Sequence, residues 1–151
     1  MALIYNYGKG VDKNLVRAIE WYKKLYDVHF YGENSIAECY CELGNYDEAL
    51  KWLQRGKRRD EPTFLVELGK FYEYRYGEKN RNYAKAIEYY KNAIKLGYDG
   101  LVGWPEYMIA RIYLKGGYGI TASRSTAREW MKKAADKGNE DAKKWLRENL
   151  S

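Results

Sequence analysis

Apolar and polar positions alternate along this chain with the period of an α-helix, and one stripe is written four times. The segments are NLVRAIEWYKKL from Asn14, NYDEALKWLQRG from Asn45, NYAKAIEYYKNA from Asn82 and SRSTAREWMKKA from Ser123. In each, Ala18, Ala49, Ala86 or Ala127 follows the leading Asn or Ser by four positions. Trp21, Trp52, Tyr89 or Trp130 stands three further on, then Tyr22, Leu53, Tyr90 or Met131, and after three more Leu25, Gly56, Ala93 or Ala134. That is an i, i+3, i+4, i+7 face, which predicts a helix each time, with the aromatics in the core. The leading Asn or Ser suits an N-cap, whose side-chain oxygen accepts a free N–H of the first turn. The alanines are 31, 37 and 41 residues apart. Repeats of that length predict a solenoid of helical hairpins, each unit burying its face against the next.

A partner helix precedes the later copies. SIAECYCEL (Ser35–Leu43) puts Ile36, Ala37, Tyr40 and Leu43 on one face, with Ser35 and Glu38 spaced as a capping box. TFLVELGKFYEY (Thr63–Tyr74) groups Leu65, Leu68, Gly69 and Tyr72, and PEYMIARIYLK (Pro105–Lys115) groups Ile109, Ala110 and Tyr113. Pro105 suits a first helical turn, where its missing N–H costs little. Met1–Tyr7 reads as the last part of a first helix, so the array begins mid-unit. At the other end, residues 139–150 read as a capping helix with Ala142, Trp145 and Leu146 turned inward. The expectation is one all-α domain over residues 1–151, an α-solenoid of about four antiparallel hairpins.

These residues resemble the SEL-one-like repeat (SLR) family and its relative, the tetratricopeptide repeat (TPR). Tyr5, Gly8, Gly10, Val11 and Ala18 follow the SLR pattern in the first unit, and Tyr72, Gly77, Ala86, Ala93 and Gly97 in the third. Tyr113, Gly116, Gly119, Ile120, Ala127, Ala134, Ala135 and Gly138 follow it in the last. The second unit has a short loop before Ala49 and looks TPR-like at Ala37, Tyr40, Ala49 and Pro62. The stretches Asp27–Asn34 and Gly97–Trp104 depart from both patterns. The resemblance implies a superhelix whose first helices line a concave groove for a partner polypeptide. Carried over by register, the groove candidates are Asn34, Glu38, Cys41 and Glu42, then Val66, Glu67, Lys70 and Tyr74, then Tyr107, Met108, Arg111 and Lys115. Acids lead in the second unit and bases in the fourth, a gradient that would orient a dipolar ligand.

Charge and chemistry narrow the picture. The net charge is +6. Part of the excess lies in Lys51, Arg55, Arg58 and Arg59, on one helix side and its end, and a second line runs through Arg124, Arg128 and Lys132. Such patches attract acidic partners or keep a helical face soluble. Cys39 and Cys41 point about 200° apart on a helix, and the chain has a single His, His29. A zinc site of soft ligands is excluded, and a reducing, cytoplasmic location fits best. His29 reads as a helix C-terminal residue. The chain lacks a nucleophile–base set, and Gly8–Gly10 lacks the following Gly-Lys-Ser/Thr of a phosphate loop. No segment is apolar enough to span a membrane, and no signal sequence is present.

The function expected is therefore a non-enzymatic, monomeric adaptor that needs no cofactor or metal and binds another protein or peptide segment, with acidic surfaces favoured. The resemblance also covers short immunity proteins that occlude a cognate toxin, as an alternative. An RNA-binding helical repeat is a weaker reading, since stacking aromatics are not separable here from core aromatics.

Overall fold

Five helices begin where an Asn or Ser side chain accepts an otherwise free backbone N–H three residues on. Asn14 takes that of Arg17 (2.9 Å), Asn45 that of Glu48 (3.4 Å), Asn82 that of Lys85 (2.9 Å), Ser123 that of Thr126 (3.2 Å) and Asn139 that of Ala142 (2.9 Å). The structure is a computed structural model and describes residues 14–29, 31–58 and 61–150. Its eight α-helices are α1 (Leu15–His29), α2 (Glu33–Glu42), α3 (Tyr46–Lys57), α4 (Pro62–Lys70), α5 (Tyr83–Lys95), α6 (Trp104–Lys115), α7 (Arg124–Asp136) and α8 (Glu140–Glu148). Helix α4 runs on into a wider π-helical turn, Phe71–Arg75, in which the Tyr76 N–H donates to the Phe71 carbonyl at 2.8 Å. Among the described residues the regular structure is entirely helical, apart from one isolated bridge between Gly117 and Ile120.

Packing is between neighbours in sequence, as a solenoid requires. The hairpins α2–α3, α4–α5 and α6–α7 are the most extensively packed pairs, and α8 packs on α7. The repeated small residues are why. Ala18, Ala49, Ala86 and Ala127 are all fully buried, and each lets its helix approach a neighbour closely. The core runs unbroken from Ala18 on α1 to Ile112 on α6. Ala110, Met131, Ala134 and Ala142 form a second cluster that reaches α8. Two glycines carry the closest approaches. A Cβ on Gly56 would lie 1.9 Å from the Phe64 ring, and one on Gly69 would lie 2.3 Å from the Tyr90 ring.

Several expectations need correction. The Ser35–Glu38 capping box does not form, because α2 starts two residues earlier, after Gly32 at φ 111°. Only Gly readily takes that left-handed turn, so it sets the start point. Leu43 lies past the end of α2 and is 47% exposed rather than inward. The aromatics three residues after each Ala are not uniformly core. Trp52 is buried, Tyr89 and Trp130 are half-buried, and Trp21 is exposed. Lysines roof the two outer Trp rings, with Lys24 4.7 Å from the Trp21 centroid and Lys133 4.1 Å from that of Trp130. The π-turn interrupts what reads in the sequence as one helix from Thr63 to Tyr74. Met1–Tyr7, Gly8, Gly10 and Val11 lie outside the described residues.

The close approach at Gly69 carries a testable consequence. Gly to Ala inside a helix ordinarily stabilises by ~0.5–1 kcal/mol. Gly69→Ala should instead destabilise by ~1–3 kcal/mol, because the Tyr90 ring it meets is fully buried and cannot retreat. Urea unfolding followed by circular dichroism measures the difference.

Candidate functional site

The first helices of consecutive hairpins leave two adjoining clefts, and Tyr74 forms a wall of both. The π-turn is responsible, since it ends α4 and places Glu73, Tyr74 and Arg75 in succession between α2 and α6. A mid-helix π-turn often marks a functional position, because the extra residue re-aims the side chains around it.

The larger cleft has a volume of about 510 Å³ and is lined by Glu73, Tyr74, Arg81, Tyr83, Met108, Arg111, Ile112, Leu114 and Lys115. Its charge is mainly positive. Among the described residues Glu73 is the only carboxylate in the lining, and it accepts a hydrogen bond from the Tyr90 hydroxyl at 2.6 Å. Burial pushes the Glu73 pKa above the usual carboxylate range, against the Tyr90 hydrogen bond and the nearby charges of Arg111, Lys115 and Arg81.

The smaller cleft, about 330 Å³, is lined by Glu38, Cys41, Glu42, Tyr46, Tyr74 and Arg75. Arg75 reaches Glu67 at 2.9 Å and Glu38 at 3.1 Å, and so ties α4 to α2. Burial opposes the Arg75 charge, and Glu67, Tyr74 and Glu38 more than offset it, so its pKa is raised and the guanidinium stays charged. Burial also pushes the Cys41 thiol up to about 11, only partly countered by Arg75. A thiol that weakly acidic is a poor nucleophile at neutral pH.

The structure sorts the expected groove residues into three groups. Tyr74, Met108, Arg111 and Lys115 meet in the larger cleft, and Glu38, Cys41, Glu42 and Tyr74 in the smaller one. Glu67 and Lys70 are engaged with each other at 2.7 Å, and Lys70 also lies 4.9 Å from the Trp104 ring centroid. Val66 faces the interior instead, 1% exposed beside Leu65 and Ala93. Met108 is 4% exposed, so it floors its cleft rather than projecting from it. Tyr107 is half-buried against both core clusters, which makes it partly a packing residue. Asn34, near the start of α2, is half-buried and carries a buried Oδ1 without a hydrogen-bond partner.

Seven residues of these clefts were not among the expected groove set: Tyr46, Glu73, Arg75, Arg81, Tyr83, Ile112 and Leu114. The loop that carries Arg81 and the π-turn that carries Glu73 and Arg75 lie outside any regular helical register, so periodicity could not aim them. The pairing of Arg75 with Glu67 eight positions earlier is legible only with the π-turn in hand.

The basic patches resolve differently. Lys51 pairs with Glu48 at 2.5 Å, and Arg55 lies 4.5 Å from the Trp52 ring centroid. With Lys23, Tyr26 and Asp27 they line a cleft between the second helices α1 and α3. Arg58 is the exposed C-cap of α3, and Arg59 lies outside the described residues. Arg124 and Arg128 donate to the Asn149 side chain and carbonyl, both at 2.6 Å, and so clasp the end of α8. Among the described residues no group of three or more His, Cys, Asp and Glu could hold a metal ion, and no helix is long and apolar enough to cross a membrane. His29 is the last residue of α1.

Comparisons with known proteins agree with this helical-repeat fold. The Sel1 repeat model matches residues 1–27, 64–98 and 106–139, and a tetratricopeptide repeat model matches 34–63. The chain is similar to a solved Sel1 repeat protein from Oxalobacter formigenes, at 22% identity and a TM-score of 0.65 over 96% of this chain and 59% of that one. It is also similar to a protective antigen of uropathogenic Escherichia coli strains that displays an SLR fold. That match has 22% identity and a TM-score of 0.62 over 93% of this chain and 30% of that one. The chain therefore spans less than two thirds of either relative. No curated protein matches it.

Glu73 gives a pH signature for the larger cleft. Its raised pKa means the fold favours the neutral acid, so its contribution is full below the ordinary value of 4.5 and is lost as pH rises through the folded pKa. Glu73→Gln should match the parent in stability at about pH 4 and exceed it increasingly towards pH 7. Paired thermal melts across that range test this, and a constant offset would contradict it.

Proposed function

The chain belongs to the Sel1 repeat family, and from that premise we propose that it is a non-catalytic interaction module that holds a partner polypeptide along its two adjoining clefts. Repeats of this family generally serve as protein–protein interaction modules and scaffolds. The observation that carries the reading is Tyr74. It is 45% exposed on an otherwise well-packed π-turn and forms a wall of both clefts, so a segment crossing from one to the other must pass over it. A rigidly held, partly exposed Tyr is a common anchor in protein interfaces, because it offers a large contact area at little cost in side-chain entropy.

The segment would meet Glu38 and Glu42 at one end and Arg111 and Lys115 at the other, which sets its direction. Glu67 and Lys70 serve as supports in this scheme, because each already has a partner. Tyr107 and Met108 shape the floor. The exposed charges Lys51, Arg55 and Arg58 lie on another face and contribute to attraction at long range.

Tyr74→Ala tests the reading directly. It removes a half-exposed ring and should leave the melting temperature nearly unchanged, while sharply reducing recovery of the partner in an affinity pull-down from the native host. A stoichiometric protein that survives about 0.5 M salt and depends on Tyr74 is the expected result. If that protein is an enzyme inhibited on binding, the module acts as an immunity protein. Partner recovery that is unaffected by Tyr74→Ala moves the binding surface off these clefts, and recovery of nucleic acid lost at high salt replaces the reading altogether.

A further inference from the structure

Three cations line the larger cleft without an ion pair among the described residues. Arg81, Arg111 and Lys115 each lie in the lining, and among the described residues none has a carboxylate within ion-pair distance. Their contacts are with rings and sulfur instead. Arg111 touches the Met108 sulfur at 3.7 Å and lies 5.9 Å from the Tyr107 ring centroid, and Lys115 lies 6.0 Å from that of Tyr83. Arg81 lies 5.2 Å from the Tyr118 ring centroid, and its Nε is buried with no hydrogen-bond acceptor. This is unlike Arg75 next door, which is shared between two carboxylates. A half-buried arginine with an unanswered N–H is costly and calls for an acceptor.

Arg81 also lies over a ring carried by a strained loop. Apart from glycines, Tyr118 alone among the described residues has a positive φ, 48°. A tyrosine there is strained, and such strain persists only where the surroundings enforce it. Here the Tyr118 carbonyl accepts the Tyr83 N–H at 2.9 Å at the first turn of α5, and its ring meets that of Tyr83 edge-on at 5.0 Å. The loop after α6 thus reaches back one unit and supplies the ring over which Arg81 lies.

We propose that the larger cleft is a receptor for two adjacent side-chain carboxylates of the partner segment, gripped by Arg81, Arg111 and Lys115, with Tyr118 as the residue that positions Arg81. This rests on the groove reading above and adds the chemistry of the segment that enters this cleft. Three positive charges face one desolvated acid, Glu73, so the charge left to be matched is two or more. The cleft, at about 510 Å³, has room for two carboxylate side chains. Arginine forks match planar carboxylates with paired hydrogen bonds.

The probe is a fluorescein-labelled glutamate decapeptide blocked at its C-terminus as the amide, so that only side chains carry charge. Binding to the full chain is followed by anisotropy at about 0.05 M salt. Replacing Arg81, Arg111 and Lys115 together with Gln should weaken binding at least ~10-fold, whereas Lys51→Gln with Arg55→Gln and Arg58→Gln, which removes the same charge elsewhere, should change it less than ~3-fold. Glu73→Gln should strengthen binding. Tyr118→Phe should bind like the parent, and Tyr118→Gly should lose affinity without losing melting temperature, an outcome that a purely structural Tyr118 would not give. Equal losses in the two triple variants, no loss in the first, or weaker binding by Glu73→Gln would overturn the proposal. The native partner separates this failure from that of the groove reading. A partner that needs Tyr74 but tolerates the triple cleft variant leaves the groove standing and removes the carboxylate site, whereas indifference to both removes both.

Discussion

The contact of the Tyr90 ring with the bare backbone at Gly69 is the point on which fold and site both turn. The ring is fully buried on α5 and rests where a side chain on α4 would otherwise stand. Its edge meets Trp104 at the start of α6, 5.6 Å between centroids, so one aromatic joins three successive helices. Its hydroxyl, carried inward by the same packing, has one place to go, and it donates to Glu73 on the π-turn. A buried tyrosine without a partner would forfeit a hydrogen bond, so the acid in the cleft is held by the same residue that closes the hairpin. Moving α4 relative to α5 would therefore displace the floor of the cleft as well as the core.

The two arginines beside this contact show how the same residue type serves opposite ends. Arg75 is a tie. It answers Glu67 and Glu38 together, and removing it would leave the largely buried Glu67 with Lys70 as its remaining partner. Arg81 is only six positions past the end of that turn, yet it rests on a tyrosine ring and lines the cleft without an ion-pair partner among the described residues. The gradient along the groove thus arises less from which residues are acidic or basic than from which have already been neutralised inside the fold.

The sequence made the repeating parts legible and concealed the parts that break the repeat. Ala18, Ala49, Ala86 and Ala127 recur in register, and all are fully buried; the Asn and Ser before them cap as their chemistry requires. Helix α8 and its Asn139 cap were equally plain, because a terminal amphipathic helix has its own periodicity. Arg111 and Lys115 line the larger cleft as the regular register of α6 would place them, whereas Tyr74 reaches it from the π-turn. Val66 was misplaced by the same argument, since α4 is buried between neighbours on a wider arc than a two-faced helix would be. Gly32 displaced the start of α2 through its backbone conformation, which the Ser35–Glu38 spacing does not report. The role of Arg124 and Arg128 depended on where the chain end folds back, a long-range contact invisible to local pattern.

Regular repeat and proposed site are therefore divided along this chain. A helical repeat solves the burial problem once and copies the solution, so its conserved-spacing residues are spent on packing and have little freedom to recognise anything. Recognition chemistry accumulates where the copy is imperfect. The π-turn at Phe71–Arg75 delivers Glu73, Tyr74 and Arg75, and the glycine-rich loop at Gly116–Gly119 delivers Tyr118 to Arg81. Both irregularities lie beside the third hairpin, whose core is also the best tied, through Tyr90, Trp104 and the stack of Tyr72 on Tyr89. A strained loop and a widened helical turn each cost stability, and they are tolerated next to the contacts best able to offset them. In a solenoid, where each unit is supported only by its neighbours, irregular backbone is best tolerated where a well-packed hairpin stands on each side of it.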